Sequence, residues 1–294
     1  MNNYTIVKIN HETIPQLYTL FESVYKKRCL TNYYELKYNT RYTGVEYIGF
    51  LAFHNNIPVA FYGVIPTIVS INKKAVLAAQ SCDTMTHPDY QKKGLFVELA
   101  KQTFDFAKQS GIHFIFGFPN QNSFPTFIKK LGFTHMENMN RYTFHFSNNI
   151  YKILMRKFWF VKSEDQCNDI TNVLIEEGFD GILYNKAYLD YKKYNANTIV
   201  KSKETTLWIN MSKGGWIGTL LPLTKDNFRI QIQLIENLTK ASSITFMVSS
   251  SSNLNKVLSQ NAKPESGFAV ITKNLSNNYN LNNLKFQFSD VDVF

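Results

Sequence analysis

The sequence predicts an α/β chain of the α+β kind, built as two domains that each fold a mixed, mostly antiparallel sheet flanked by helices. Three observations carry that prediction. The chain has 294 residues, more than one hydrophobic core ordinarily serves. Apolar spacing switches between the helical and the strand period several times in the first half. The second half then runs through its elements in a matching order, as a duplicated domain would. The boundary is expected near Ser147–Ile150, where Ser-Asn-Asn interrupts the pattern, giving domains over 1–147 and 148–294.

Element by element, Tyr4–Lys8 alternates like a strand, and Thr13–Val24 places Ile14, Leu17, Leu20, Phe21 and Val24 at helical spacing. Tyr33–Tyr38 reads as a further short helix. Tyr47–Phe53 and Val59–Val64 are strands on either side of the turn-rich His54-Asn55-Asn56-Ile57-Pro58. A third strand covers Val76–Thr86 after the turn at Asn72-Lys73-Lys74. A loop from His87 to Gly94 leads into a helix over Leu95–Gln109, which Gly111 ends. A buried strand at His113–Phe118, a helix at Ser123–Leu131 and strands near Arg141–Phe146 complete the half.

The echo begins at Tyr188-Leu189-Asp190-Tyr191-Lys192-Lys193-Tyr194-Asn195, which repeats the character of Tyr33–Asn39. Strands at Thr205–Met211 and Trp216–Leu221 flank a Gly214-Gly215 turn. A helix over Phe228–Leu238, a strand at Ile244–Val248, a helix at Leu254–Asn261 and strands at Gly267–Lys273 and Lys285–Phe288 follow.

Composition narrows the function classes. Apolar residues make up 44% and charged residues 18%, the balance of a packed chain and not of a disordered one. No apolar run is long enough to cross a bilayer, and the start lacks a secretory leader, so a cytoplasmic protein is expected. Cys29, Cys82 and Cys167 are too few and too far apart for a disulfide framework or a metal cluster. The formal charge of +10 comes from scattered lysine pairs, without the long basic runs or the arginines of a nucleic-acid arm. It reads either as solvated lysine faces or as a field that attracts an anionic cofactor.

Chemistry concentrates between Val76 and Phe133. A strand ends at Thr86, the chain turns through Pro88, and Gly94 stands just before a helix. Amide groups at a helix start lack internal partners, the helix dipole adds positive character, and glycine admits a close phosphate. Gln91, Lys92 and Lys93 add donors and charge, so the loop suits a pyrophosphate.

The segment His87-Pro88-Asp89-Tyr90-Gln91-Lys92-Lys93-Gly94-Leu95-Phe96 resembles the acetyl-CoA loop of the GNAT superfamily of N-acetyltransferases, Gln/Arg-x-x-Gly-x-Gly/Ala between a strand and a helix. Lys130-Leu131-Gly132-Phe133 is similar to the end of that family's next helix, and Asn120 stands where the family often has a coenzyme-contacting Asn. Gly117-Phe118-Pro119-Asn120 and Asp290-Val291-Asp292-Val293-Phe294 resemble a two-lobed bacterial branch associated with cell-surface polysaccharide assembly. The resemblance covers 1–146 well and 151–294 in element order only. It implies two GNAT-like domains: a coenzyme-bearing first one, and a degenerate second one lining the acceptor cleft, since Leu221–Phe228 lacks the glycine and paired lysines.

The implied reaction is transfer of an acyl group from acetyl-CoA to an amine of a small molecule, an amino sugar of a cell-surface precursor being the suggested acceptor. No metal or nucleic acid takes part. Coenzyme contacts fall to Met85, Gln91, Lys92, Lys93, Gly94, Leu95, Phe96 and Asn120, the amide near Met85 being placed to stabilise a tetrahedral oxyanion. The attacking amine must lose a proton, and Asp83 and His87 are the candidates to take it. Asp83 also reads as a buried acid bonded to backbone, His87 as a loop residue beside Pro88, and Cys82 as an inert thiol. Two positions depart from the family pattern. Phe96 replaces Gly or Ala, and Ile128 stands where many members have the Tyr that protonates the leaving thiolate. Two other readings stay open: a Fem-type aminoacyl or peptidyl transferase, and a non-catalytic coenzyme-binding protein.

Overall fold

The computed structural model describes residues 4–146, 170–195, 197–201, 205–211, 214–239, 241–276 and 279–294, and the expected boundary segment Ser147–Ile150 lies outside them. The chain forms two compact units. Unit 1 comprises 1–69, 74–136 and 269–281, and unit 2 comprises 70–73, 137–268 and 282–294. The architecture is mixed α/β, with mostly antiparallel strands flanked by helices.

In unit 1 the elements are β1 (Thr5–Lys8), α1 (Pro15–Tyr25), α2 (Tyr33–Tyr38), β2 (Ile48–His54), β3 (Ile57–Ile71), β4 (Lys74–Thr86), α3 (Leu95–Gln109), β5 (Phe114–Gly117) and α4 (Phe124–Leu131). The strand order is β1-β2-β3-β4-β5, and beyond β5 lies β12 (Glu265–Asn274), paired antiparallel through Ile271–Asn274. Asn55 and Asn56 both take left-handed φ, which makes the tight β2–β3 turn. Side chains alternate across the sheet. Phe61 packs with Leu17, Leu20, Tyr34 and Tyr38 on the α1–α2 face. Its neighbour Tyr62 packs with Leu95, Leu99, Phe104 and Phe127 on the α3–α4 face. The sheet is therefore buried on both sides, and β3 is accordingly apolar almost throughout.

Unit 2 contains most of β6 (Thr134–His145), then α5 (Val173–Glu176), β7 (Gly181–Ile182), α6 (Lys186–Lys192), β8 (Asn197–Lys201), β9 (Thr206–Asn210), β10 (Trp216–Leu221), α7 (Phe228–Leu238), β11 (Ser243–Ser249) and α8 (Asn253–Ser259). Its strands follow the order β6-β11-β10-β9-β8. β10 and β11 run parallel and are joined through α7, as β4 and β5 are joined through α3. Tyr142, Leu207, Ile209, Ile217, Phe228, Ile235, Phe246 and Leu258 form its core.

Three expectations about elements are corrected. β6 already begins at Thr134, because its ladder continues through polar residues that hide the alternation. Strand β8 was not expected. The segment around Lys285–Phe288 is no extended strand; it makes one antiparallel bridge, Val248 to Gln287, and then a 3-10 turn over Phe288–Asp290.

Candidate active site

The site begins where β4 and β5 stop pairing. Ala79–Ser81 lie parallel to Ile115–Gly117, after which β5 ends while β4 continues to Thr86. Gly117 permits the last close pair, since a Cβ there would lie 3.1 Å from Ser81 Cβ. A parallel pair that ends this way leaves a slot beside the longer strand, suited to an extended ligand that hydrogen-bonds like a strand.

Past β4 the chain turns tightly. The His87 amide donates to the Val59 carbonyl at 2.8 Å, and the His87 Nδ1 accepts from the Asp89 amide at 3.3 Å. Pro88–Tyr90 form a 3-10 turn, then Lys92 and Gly94 take φ of 62° and 83°. Gly94 heads α3, whose first turn receives no side-chain cap. A Cβ at Gly94 would meet nothing within 4 Å, so a larger residue would project into the open space before the helix. Gln91, Lys92 and Lys93 are exposed, and the Lys93 ammonium lies 4.6 Å from the Tyr90 ring centre. The loop thus offers helix-start amides, a left-handed glycine and two cations together, which is what a pyrophosphate requires.

Phe96 explains itself. Its ring stacks on Tyr62 with centroids 5.8 Å apart and meets Phe127 edge-on at 5.4 Å. The side chain anchors the first turn of α3 to the core, as the buried Leu95 does.

On the other side of β4, Asp83 is held by groups from α2. Lys37 Nζ reaches both carboxylate oxygens at 3.0 Å, and the Tyr38 hydroxyl donates to Oδ2 at 2.8 Å. Lys37 is 1% exposed and Asp83 19%. A carboxylate has about four lone-pair sites, so three bonds leave roughly one for an incoming donor. Tyr34 donates to Met85 Sδ at 3.8 Å, Met85 itself being buried. Tyr18 donates to Glu35, also on α2. Burial first, and the Asp83 charge second, push the phenols of Tyr34 and Tyr38 well up, so both stay neutral donors. Cys82 hydrogen-bonds the Gly63 carbonyl at 3.5 Å and the Tyr38 hydroxyl at 3.4 Å.

The sequence-derived residues therefore fall into two groups. Gln91, Lys92, Lys93, Gly94, Leu95 and Phe96 come together at the start of α3. Asp83 and Met85 face the α1–α2 cluster, and no hydrogen bond or ion pair joins Asp83 to His87 among the described residues. Asn120 lies in the turn before α4, where its Oδ1 accepts from the amides of Asn122 and Ser123, both at 3.0 Å. Ile128 packs against the core on the α3–α4 face. Lys37, Tyr34 and Tyr38 were not singled out from sequence, although their i, i+3, i+4 spacing puts all three on one helix face. No group of three or more metal-ligating side chains occurs among the described residues. No helix among them is long and apolar enough to cross a membrane.

Residues 5–136 match the family model described as an acetyltransferase (GNAT) domain. A GCN5-related N-acetyltransferase from Kribbella flavida superposes with a TM-score of 0.65 at 10% identity, covering 93% of this chain and 72% of that one. A conserved protein of unknown function from Enterococcus faecalis, described as a probable N-acyltransferase, gives 0.65 at 13% identity, covering 93% and 73%. At such identities the likeness concerns the fold. No curated protein matches the sequence.

Proposed function

We propose, from the premise that residues 5–136 form a GNAT acetyltransferase domain, that this protein transfers an acyl group from acetyl-CoA to an amine of a small molecule. The observation that carries the reading is the geometry at Gly94. A left-handed glycine with open space at its Cβ position heads an uncapped helix beside two exposed lysines. The β4–β5 slot lies at the other end of the same connection.

In this reading the amides of the first turn of α3, with Gln91, Lys92 and Lys93, bind the coenzyme phosphates. Acetyl-CoA supplies the thioester. The slot beside β4 aligns the coenzyme's extended arm, with an amide near Met85 donating to the thioester carbonyl and Asn120 lying at the mouth. Asp83 uses its remaining lone pair to accept from the acceptor's ammonium and hold it on the α1–α2 side. Asp83 is then placed to take the proton, and His87, at the end of β4, could take it only at Nδ1 by releasing the Asp89 amide. Positioning supplies much of the acceleration in a direct transfer of this kind. The acceptor class, an amino sugar of a cell-surface precursor, rests on the resemblance of the segments at Gly117–Asn120 and Asp290–Phe294. Residues 148–294 are read as a degenerate second domain, and the cytoplasm as the site of action.

Ile128 favours one rival. It cannot protonate a departing thiolate, and a coenzyme-binding protein without turnover would not need a residue that did. Calorimetry on the full chain with acetyl-CoA and the unreactive desulfo-CoA, followed by an amine panel, separates the readings. Binding with turnover supports transfer, and binding without turnover on any amine supports the rival. Gly94→Val should weaken acetyl-CoA binding at least about tenfold. Unchanged affinity in the folded variant would remove the loop from the site, and binding of aminoacyl-tRNA instead would favour a Fem-type transferase.

A further inference from the structure

Unit 2 has its own version of the slot. β10 and β11 pair in parallel only at Trp216–Thr245 and Ile217–Phe246, yet β10 continues to Leu221 and β11 to Ser249. The β9–β10 register shifts between Ile217 and Thr219, at Gly218. The layout is that of β4 and β5, a short parallel pair, a crossover helix and a first strand that runs on beyond the last pair, here with its partner running on as well.

Here the space beyond the pair is filled. Gln287 bridges Val248 of β11, and the Ser249 amide donates to the Phe286 carbonyl at 2.8 Å. On the β10 side, Ser289 Oγ donates to the Gly218 carbonyl at 3.0 Å, and Gln287 Nε2 to Thr219 Oγ1 at 3.1 Å. One segment thus bonds both strands that part. A Cβ at Gly218 would lie 2.8 Å from both Ser289 Cβ and Phe294 Cε1, so the glycine exists to let this segment in. Phe286, Gln287, Phe288, Ser289, Asp290, Val291 and Phe294 are all buried. Two of their polar groups are met from inside the unit: Tyr184 donates to Asp290 at 2.6 Å, and Lys192 Nζ to the Val291 carbonyl at 2.8 Å.

The connection that corresponds to the proposed phosphate loop is folded on itself. In the connection from β10 to α7, the Thr224 amide donates to Asn227 Oδ1 at 2.7 Å, and the Asn227 amide donates back to Thr224 Oγ1 at 3.3 Å. Asn227 Nδ2 also donates to the Pro222 carbonyl at 3.2 Å. The turn spends the Thr224 and Asn227 amides on itself, although the first turn of α7, like that of α3, has no side-chain cap.

We infer that unit 2 retains a second coenzyme slot and that residues 286–294 are its permanent internal ligand, so that this unit takes no acyl-CoA. The inference rests on reading the β4–β5 slot as the coenzyme site. The segment is core and not a gate: Gln287 Nε2, Ser289, Asp290 and the Val291 carbonyl are hydrogen-bonded within the unit, and its aromatic rings pack on Trp208 and Trp216.

Two measurements on the full chain test this. In the first, Gly218→Ala, Phe294→Ala and the double variant are melted. Gly218→Ala should lower the melting temperature by roughly 4 °C or more. The double variant should fall by less than the two single shifts combined, because removing the ring frees the space the methyl needs. Strict additivity would overturn the proposal. In the second, amide exchange of the unaltered protein is followed with and without saturating acetyl-CoA. Amides of 287–294 should exchange slowly and equally in both, with one coenzyme bound per chain. Faster exchange there on adding coenzyme, or two coenzymes per chain, would overturn it. If no coenzyme binds at all, the acyltransferase reading fails, while the melting cycle still decides whether the segment fills the slot.

Discussion

In the proposed reaction Asp83 serves structure and chemistry at once. Its charge balances a lysine that is otherwise sealed in the α2 interface, and breaking one side of such a pair costs about 3 kcal/mol or more. Asp83→Asn should therefore lower stability as well as turnover, and turnover alone cannot assign the role. Pairing it with Lys37→Met removes the stranded charge. We expect that double variant to recover most of the lost melting temperature yet remain roughly a hundredfold slower with amine acceptors. Recovery of turnover together with stability would make Asp83 purely structural. Acetyl-CoA affinity should be unchanged in both variants, since the phosphates are assigned to the start of α3.

At the scale of elements, the loop into α3 was legible and its partner α2 only half so. Gly94 before a helix and two lysines is a local signal, and α3 runs over Leu95–Gln109 as its spacing predicts. Trp216–Leu221 and Phe228–Leu238 were equally plain, each bounded by turn residues. β6 was cut short because Glu137, Asn138 and Asn140 interrupt its alternation, and β8 was missed because Asn195 stands before it and it begins on Asn197 and ends on Lys201. Lys37 escaped notice for a deeper reason. A lysine on an apolar face reads as solvent-facing until its partner is known, and that partner is 46 positions away. Phe96 tests the packing side of the same helix. Phe96→Ala loses its contacts with Tyr62 and Phe127 and should cost about 3 kcal/mol. Coenzyme affinity of the folded fraction should stay within a few-fold, because the ring points away from the proposed phosphates. A collapse of affinity in stable Phe96→Ala protein would place the ring in the site instead.

At the scale of the whole molecule, Asp290 makes stability depend on pH. Burial pushes its carboxyl up to about 7, against the bonds from Tyr184 and the Gln287 amide and the nearby Lys192 charge, all of which favour the anion. In an unfolded chain the group titrates near 3.9. Between those values the folded form keeps a proton that the unfolded form has lost, so stability falls as pH rises from about 4 to about 7 and then levels off. The effect is about 4 kcal/mol at most. Thermal unfolding from pH 4.5 to 8 should show it, and the slope should flatten in Asp290→Asn. Parallel curves for the two proteins would mean that the carboxyl is already charged in mild acid.

The pairing of β12 with β5 also sets a timetable. Unit 1 draws its edge beside Phe114–Gly117 from Ile271–Asn274, which are made long after the rest of the unit. At ribosomal speeds of about 5–20 residues per second, the delay is roughly eight to thirty seconds. Throughout that interval an apolar strand waits on the nascent chain with one rim unpaired, the kind of rim that recruits chaperones or other chains. Slower translation of this protein is therefore expected to lower its yield.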